Sequence, residues 1–488
     1  MKSRQERGLN LKLYVYHSHV MGFDVLKFER LSMKGCNQMS NEKLKREINL
    51  FGGISILSGI MVGSGIFFIG SYVFLRTDFS IGLSLLAWLL GGVITLFYGL
   101  IYAELGTMMP EAGGYYIYLK KAYGKPVAFM SGFTNFILAS SGSIAALALA
   151  FSLVLHNILI TLTGVGIPGI LQIVIAAGMI VVLSVFNFLN VRVSTNLLKV
   201  FLVLKAIPIA IVLASGLFFG TQSVDLSISL NGESIFSLLA MVGFAVIATF
   251  WAYEGWTNLN NVAGEIINPS RNLPLSLIIS IAGITVLYVL YNYSIVNVLS
   301  LSEIQTMVAN GEIYLGIPAA MAVMGSAGMY LVMVTMLISI FGALNAVIMA
   351  FPRVYYAMSK DGVLFEKFQT LHPKYKTPTY AIVGSSVMSL ILLVFGLDDL
   401  ISLIAFGALV FNTLIFVGLI LFRKRQPDAV RPYKVWFYPY LPIITIIITI
   451  GLLMAMFVES IVPSLIGTAI ILAALPIYYL IERYKLKS

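Results

Sequence analysis

The chain has 488 residues, 59% of them hydrophobic and 11% charged, and its 31 lysines and arginines against 21 acidic residues give a formal net charge of +10. A mean hydropathy of +0.94 excludes an ordinary soluble domain and marks a polytopic membrane protein. The positive charge does not point to nucleic acid: the first 38 residues, seven basic against three acidic, supply +4, and most of the rest flanks apolar runs.

Residues 1–40 read as a cytoplasmic leader, disordered or a mis-assigned start ahead of Met39-Ser40-Asn41. It is no signal peptide, because His17, His19 and Asp24 interrupt any apolar core. The single cysteine, Cys36, lies in it, so no internal disulfide and no disulfide-linked partner on the outside is expected. The four histidines have no ligand spacing, and neither a metal nor a cofactor is expected.

Runs long enough to cross a bilayer, about 20 apolar residues, occupy 48–75, 81–108, 126–157, 168–189, 195–219, 235–263, 273–299, 326–357, 378–397, 399–422, 439–459 and 461–481. About twelve transmembrane helices are predicted. Lysine and arginine crowd alternate connections: Lys43, Lys45 and Arg46; Lys120, Lys121 and Lys125; Lys360 to Lys376; Arg423 to Lys434; and the C-terminus. The other connections are bare or acidic, with Asp225, Glu233, Glu303 and Glu312. Both termini are therefore expected in the cytoplasm, and Arg76 is the one basic residue placed outside.

Two spans are interrupted. Gly63-Ser64-Gly65 breaks the first, and Phe250-Trp251-Ala252-Tyr253-Glu254-Gly255-Trp256 puts a carboxylate and a glycine inside the sixth. Glycines in membrane helices more often serve close packing. A clustered break at mid-span is tolerated only where the freed backbone lines a cavity or binds something, and paired discontinuous helices point to the substrate site of a secondary transporter. Breaks in spans one and six imply a repeat of five helices, which must invert. The predicted organisation is a five-helix repeat over 41–219, its inverted partner over 220–422, and helices 11 and 12 with a cytoplasmic C-terminus over 423–488. Sequence likeness between the halves is negligible.

A helix starting after Gly65 offers free N–H groups and a positive dipole end to a carboxylate. One ending near Trp251 offers carbonyls to an ammonium. Together they suit a free amino acid. No nucleophile–base pair, metal cluster or phosphate loop supports an enzyme, and no ring of charge or repeated filter motif supports a channel.

The strings GSGIF (63–67), YAELG (102–106), PEAGGYYIYL (110–119), FWAYEGWTNLNNVAGEIINPSRNLP (250–274), SIFGALNAVIMAFPRVYYAMSKDG (339–362) and RPYKVWFYPYLP (431–442) resemble the L-type amino acid transporter family of the amino acid-polyamine-organocation superfamily, in its stand-alone bacterial form. The resemblance implies an all-α polytopic membrane protein with the leucine-transporter-like 5+5 inverted repeat plus two C-terminal helices. It also implies sodium-independent exchange of amino acids across the cell membrane. Carried over by position, Val62, Gly63, Ser64, Gly65 and Ile66 would hold the substrate carboxylate, and the carbonyls of Thr249, Phe250 and Trp251 its ammonium. Trp251 would act as an aromatic lid. Relatives that carry a glycoprotein subunit attach it through a cysteine between the third and fourth helices, which this chain lacks.

Lys205, ten residues into the fifth span, is too deep to snorkel, unlike Lys199. Family position makes it a stand-in for sodium, tying carbonyls around Gly63. Glu254 departs from the family's usual aspartate or glycine; it is either paired or protonated within the bundle, or contacts a cationic or proton-linked substrate. Asn345 is a mid-membrane amide that either bridges helices or, by family position, faces the cavity; Tyr253, in the second break, is counted with the substrate-binding residues, and Asn292 and Asn412 read as packing groups. Glu104, Glu111, Glu265, Arg271 and Arg353 read as ion-pairing or solvated residues at the cytoplasmic ends. Ser140, Ser141, Gly142, Ser143 and Gly255 suggest a tight, partly polar pocket. The expected activity is antiport of small neutral amino acids such as serine, threonine or alanine. The alternative is proton-coupled symport, or exchange that accepts cationic amino acids through Glu254. The expected partners are the amino acid and membrane lipid.

Overall fold

The computed structural model describes residues 44–189, 191–228 and 234–485, so the expectations placed on the leader, Cys36 and Glu233 lie outside the described residues. Among the described residues ten helices are long and apolar enough to span a membrane, and an eleventh span is the bent pair Leu50–Met61 and Gly65–Arg76, which meet at 48°. Thr379–Leu392 is the remaining apolar helix. These elements fall on the twelve predicted runs in order, and the only β-type pairing among the described residues is one isolated bridge between Ile48 and Ile266.

Local chemistry sets the helix ends. Asn49 Oδ1 accepts from Gly52 N at 2.8 Å and starts Leu50–Met61. Ser80 caps Ile81–Met108, and Ser234 caps Ile235–Tyr253. Such caps satisfy amides that helices leave unpaired. The bridge, with Glu47 N and Ile48 N both 2.9 Å from Glu265 O, fastens the start of the first span to the end of the sixth.

Three features differ from the sequence expectation. The ninth span, expected over 378–397, is helical only through Thr379–Leu392, 14 residues; the run then turns at Leu393 while staying apolar. The third span is not one α-helix: Lys125–Thr134 passes through a π-turn, Asn135–Ala139, into Ser140–Thr163. Side chains feed the loosened ladder, with Ser141 Oγ donating to Phe136 O at 2.7 Å and Ser143 Oγ to Ala139 O at 2.8 Å. Finally, connections carry helices of their own, Tyr115–Tyr123, Leu301–Ala309 and Gly316–Met324.

Candidate substrate site

The first span ends its opening half at Met61, and Val62 leaves helical geometry at φ −80°, ψ 64°. The sixth ends at Tyr253, where Glu254 is extended at φ −64°, ψ 150°. The two breaks touch: a Cβ added at Gly65 would stand 2.5 Å from Ala252 Cα, so only glycine fits. Gly255 has φ +112°, and a Cβ there would run into Ile60, so the second break is also built on a glycine.

Three neighbouring spans hold the first break. Lys205, 1% exposed, donates to Ser58 O at 3.0 Å, Gly59 O at 3.1 Å and Val62 O at 2.7 Å. Lys199 instead is half-buried and bonds the exposed Asn196. Ser339 Oγ donates to Val62 O as well. The Tyr288 hydroxyl stands 2.6 Å from Met61 O and 2.9 Å from Ala252 O, so one proton is shared between the two broken spans. Sequence reasoning passed over Tyr288 and Ser339, since hydroxyls in apolar spans give no distinguishing signal.

On its other side the break faces a cleft. Atom-free space of about 450 Å³ is lined by Gly63, Ser64, Gly65, Ser143, Trp251, Glu254, Gly255, Asn258 and Phe351 among others. Cavities of about 540 and 510 Å³ adjoin it, and Glu254 lines all three. Trp251 Nε1–H points at Ser64 Oγ, 3.4 Å away, laying the indole across the first break. Gly63 N donates to Met61 O at 2.9 Å and Phe67 N to Ser64 O at 3.0 Å, which leaves the amides of Gly65 and Ile66 as candidate donors for a ligand.

The remaining expected site residues divide. Phe250 and Tyr253 line the cavity next to the cleft, and the Tyr253 hydroxyl donates to Trp88 O at 2.8 Å. The Val62 backbone is taken up by Lys205, Ser339 and Ser58, and Ile66 is 1% exposed in the core. Thr249 is fully buried, its hydroxyl donating to Val246 O at 2.7 Å. The i to i−4 ladder of Ile235–Tyr253 takes up the Thr249 carbonyl and leaves those of Phe250 and Trp251 open. Asn345 is not at the cleft: its Oδ1 accepts from Asn187 Nδ2 at 2.9 Å, the interhelical use. Asn412 does reach the cavities, accepting from the Tyr102 hydroxyl at 2.6 Å. Asn292 Nδ2 donates to Tyr288 O and packs as read. No ion pair reaches Glu254 among the described residues, and the Gly255 amide is the polar group against its carboxyl.

The basic ends of the spans are clasped. Arg353 Nε bonds Glu265 Oε1 at 2.8 Å with both side chains 1% exposed. Glu104, fully buried, takes two bonds of 2.7 Å from Arg423, one of 2.7 Å from Val435 N, and Arg431 Nε lies 3.3 Å away. Glu111 pairs with Lys121 in solvent. A family profile described as amino acid permease matches residues 48–481. The chain is 32% identical over 445 residues to the serine/threonine exchanger SteT of Bacillus subtilis (strain 168), covering 91% of this chain and 98% of that one. It is 29% identical over 450 residues to the human b(0,+)-type amino acid transporter 1, covering 91% and 89%. To the human cystine/glutamate transporter it is 30% identical over 444 residues, covering 90% and 85%.

Proposed function

The chain belongs to the amino acid permease family, and from that premise we propose that it is a sodium-independent exchanger of small neutral amino acids, serine, threonine or alanine, working by alternating access. The observation that carries this is the cleft at Gly63–Gly65, where helix amides meet the open carbonyls of Phe250 and Trp251 under the Trp251 indole. Carboxylate and ammonium of one zwitterion match those two helix ends. Lys205 occupies the inner side of the break with an ammonium, which supports the sodium-independent reading.

In the proposed arrangement two five-helix repeats, 41–219 and 220–422, invert about the paired breaks. The clasped basic ends face the cytoplasm, as the lysine and arginine pattern indicates, in the cell membrane. The connection between the third and fourth spans has no cysteine, which supports a transporter without a disulfide-linked heavy subunit. Proteoliposomes preloaded with serine should take up labelled serine, whereas empty ones should not, with or without sodium. Uptake into empty vesicles driven by a pH gradient would instead establish proton symport.

A second reading has its own support. Glu254 faces all three cavities with no basic partner among the described residues, so a cationic side chain would find its counter-charge there. Competition by lysine or arginine that disappears in Glu254→Gln would select this reading.

A further inference from the structure

We infer that the connection between the tenth and eleventh spans is a docking surface for an anionic phospholipid, with the headgroup phosphate on Lys424 and Lys434 and the upper acyl region against Trp436 and Phe437. Five basic residues and one acid, Asp428, occupy 423–439. Three of the five are turned into the protein: Arg423 onto Glu104, Arg425 Nη1 to Ala122 O at 2.9 Å, and Arg431 Nη2 to Gln426 O at 2.6 Å. Lys424 and Lys434 are exposed, and no ion pair reaches either among the described residues. The apolar side is equally uncovered. Trp436 is 47% exposed and Phe437 79%. Phe437 also holds φ +50°, a left-handed conformation that bulky residues avoid, and the ring it presents lies outside the buried core.

The eleventh span fixes the depth of this surface. Within Tyr440–Glu459, Tyr440, Ile444, Ile447, Met454 and Val458 are all exposed, and their spacing puts them on one helix face. That stripe is the side turned to lipid. At about 1.5 Å per residue, Tyr440 and Val458 stand about 27 Å apart along the axis, close to the roughly 30 Å of bilayer hydrocarbon. Tyr440 therefore marks one boundary of the bilayer, and Phe437, Trp436 and Lys434 continue outward from it into the headgroup layer. Aromatic rings at that level and lysines beside phosphate are the groups that hold an anionic lipid. The surface is also braced from behind. Val435 N, between Lys434 and Trp436, donates to the buried Glu104 Oε2 at 2.7 Å, and the Arg423 guanidinium lies 4.3 Å from the centre of the Tyr438 ring.

Quenching of tryptophan fluorescence by lipids brominated near the headgroup tests this in the reconstituted full chain. Trp88 and Trp256 are buried and Trp251 lies over the central cleft, which leaves Trp436 as the tryptophan at the surface. Brominated phosphatidylglycerol should bind beside Trp436 about fivefold or more tightly than brominated phosphatidylcholine, the gain expected from one lysine near an anionic headgroup. Combining Lys424→Gln with Lys434→Gln should bring the ratio to about unity, whereas Lys424→Arg with Lys434→Arg should keep it. Trp436→Phe should remove the lipid-dependent quenching. Equal quenching by the two lipids, no quenching by either, or quenching that survives Trp436→Phe overturns the proposal. So does a ratio that the glutamine pair leaves unchanged or that the arginine pair also loses.

Discussion

Replacing Lys205 by alanine is the most direct test of how the first break is held. The three carbonyls bonded by its Nζ do not lose equally. Ser58 O keeps the Val62 amide at 3.1 Å, and Val62 O keeps Ser339. Gly59 O would take the amide four residues on, but Gly63 N is turned to Met61 O, so Gly59 O loses its donor outright. An orphaned buried carbonyl costs about 1–3 kcal/mol, and two further bonds to a charged donor are worth about 1 kcal/mol or more each. The sum, about 3–5 kcal/mol, falls on the broken conformation itself. At 1.4 kcal/mol per factor of ten, the competent population should drop by about two to three and a half orders of magnitude. Counterflow of labelled serine in preloaded proteoliposomes measures it, with Lys205→Met as a variant that fills the space without the donors. Exchange by Lys205→Ala at the wild-type rate would refute the reasoning.

Tyr288→Phe removes the proton shared by Met61 O and Ala252 O; about 1–3 kcal/mol lost at the joint should slow exchange about tenfold while the melting temperature of the purified protein stays near wild type. Glu254→Gln should keep serine exchange within a few-fold and abolish inhibition by lysine; lysine inhibition that persists in the variant would sink the counter-charge role. Arg353→Met leaves Glu265 buried without its partner and should cost about 3–5 kcal/mol, read as a lower melting temperature, whereas pairing it with Glu265→Leu should recover most of the loss.

Much of this was legible in the sequence because lipid leaves so few options. Apolar length marked the spans, and a Gly-Ser-Gly cluster at mid-span, paired with a carboxylate and a glycine in the sixth, pointed to a break over the commoner packing use of glycine. What stayed hidden depended on which face of a helix meets which neighbour. Asn345 and Asn412 are each single amides in apolar runs, yet Asn345 turns to Asn187 and Asn412 to the cavities. The π-turn at Asn135–Ala139 was invisible because its residues keep the apolar character of an α-helix; the serines that feed it, Ser141 and Ser143, read as pocket lining. Only Ser143 lines the cleft, while Ser140 lines the adjoining cavity. The shortened ninth span escaped notice because Leu393-Val394-Phe395 remains apolar through the turn.

The distribution of polar ties around the breaks bears on which half of the site moves cheaply. Ser58, Gly59, Met61 and Val62, the acceptors of Lys205, Ser339 and Tyr288, all precede Ser64. Beyond it, the half-helix Gly65–Arg76 meets the sixth span through the Gly65–Ala252 approach and the Trp251–Ser64 contact. Swinging Leu50–Met61 therefore breaks a buried ammonium and two hydroxyl bonds, several kcal/mol together. Moving Gly65–Arg76 together with Ile235–Tyr253 breaks the Tyr288–Ala252 half of one shared proton, the Tyr253–Trp88 bond and the Thr77–Ser84 contact, none of which involves a buried charge. The half-helix Leu50–Met61 is further held by the Ile48–Ile266 bridge beside the Arg353–Glu265 pair. Among the printed ties, the buried ammonium of Lys205 sits on the Leu50–Met61 side, so in the proposed transport cycle opening on the clasped side is the step that a bound substrate would have to help drive.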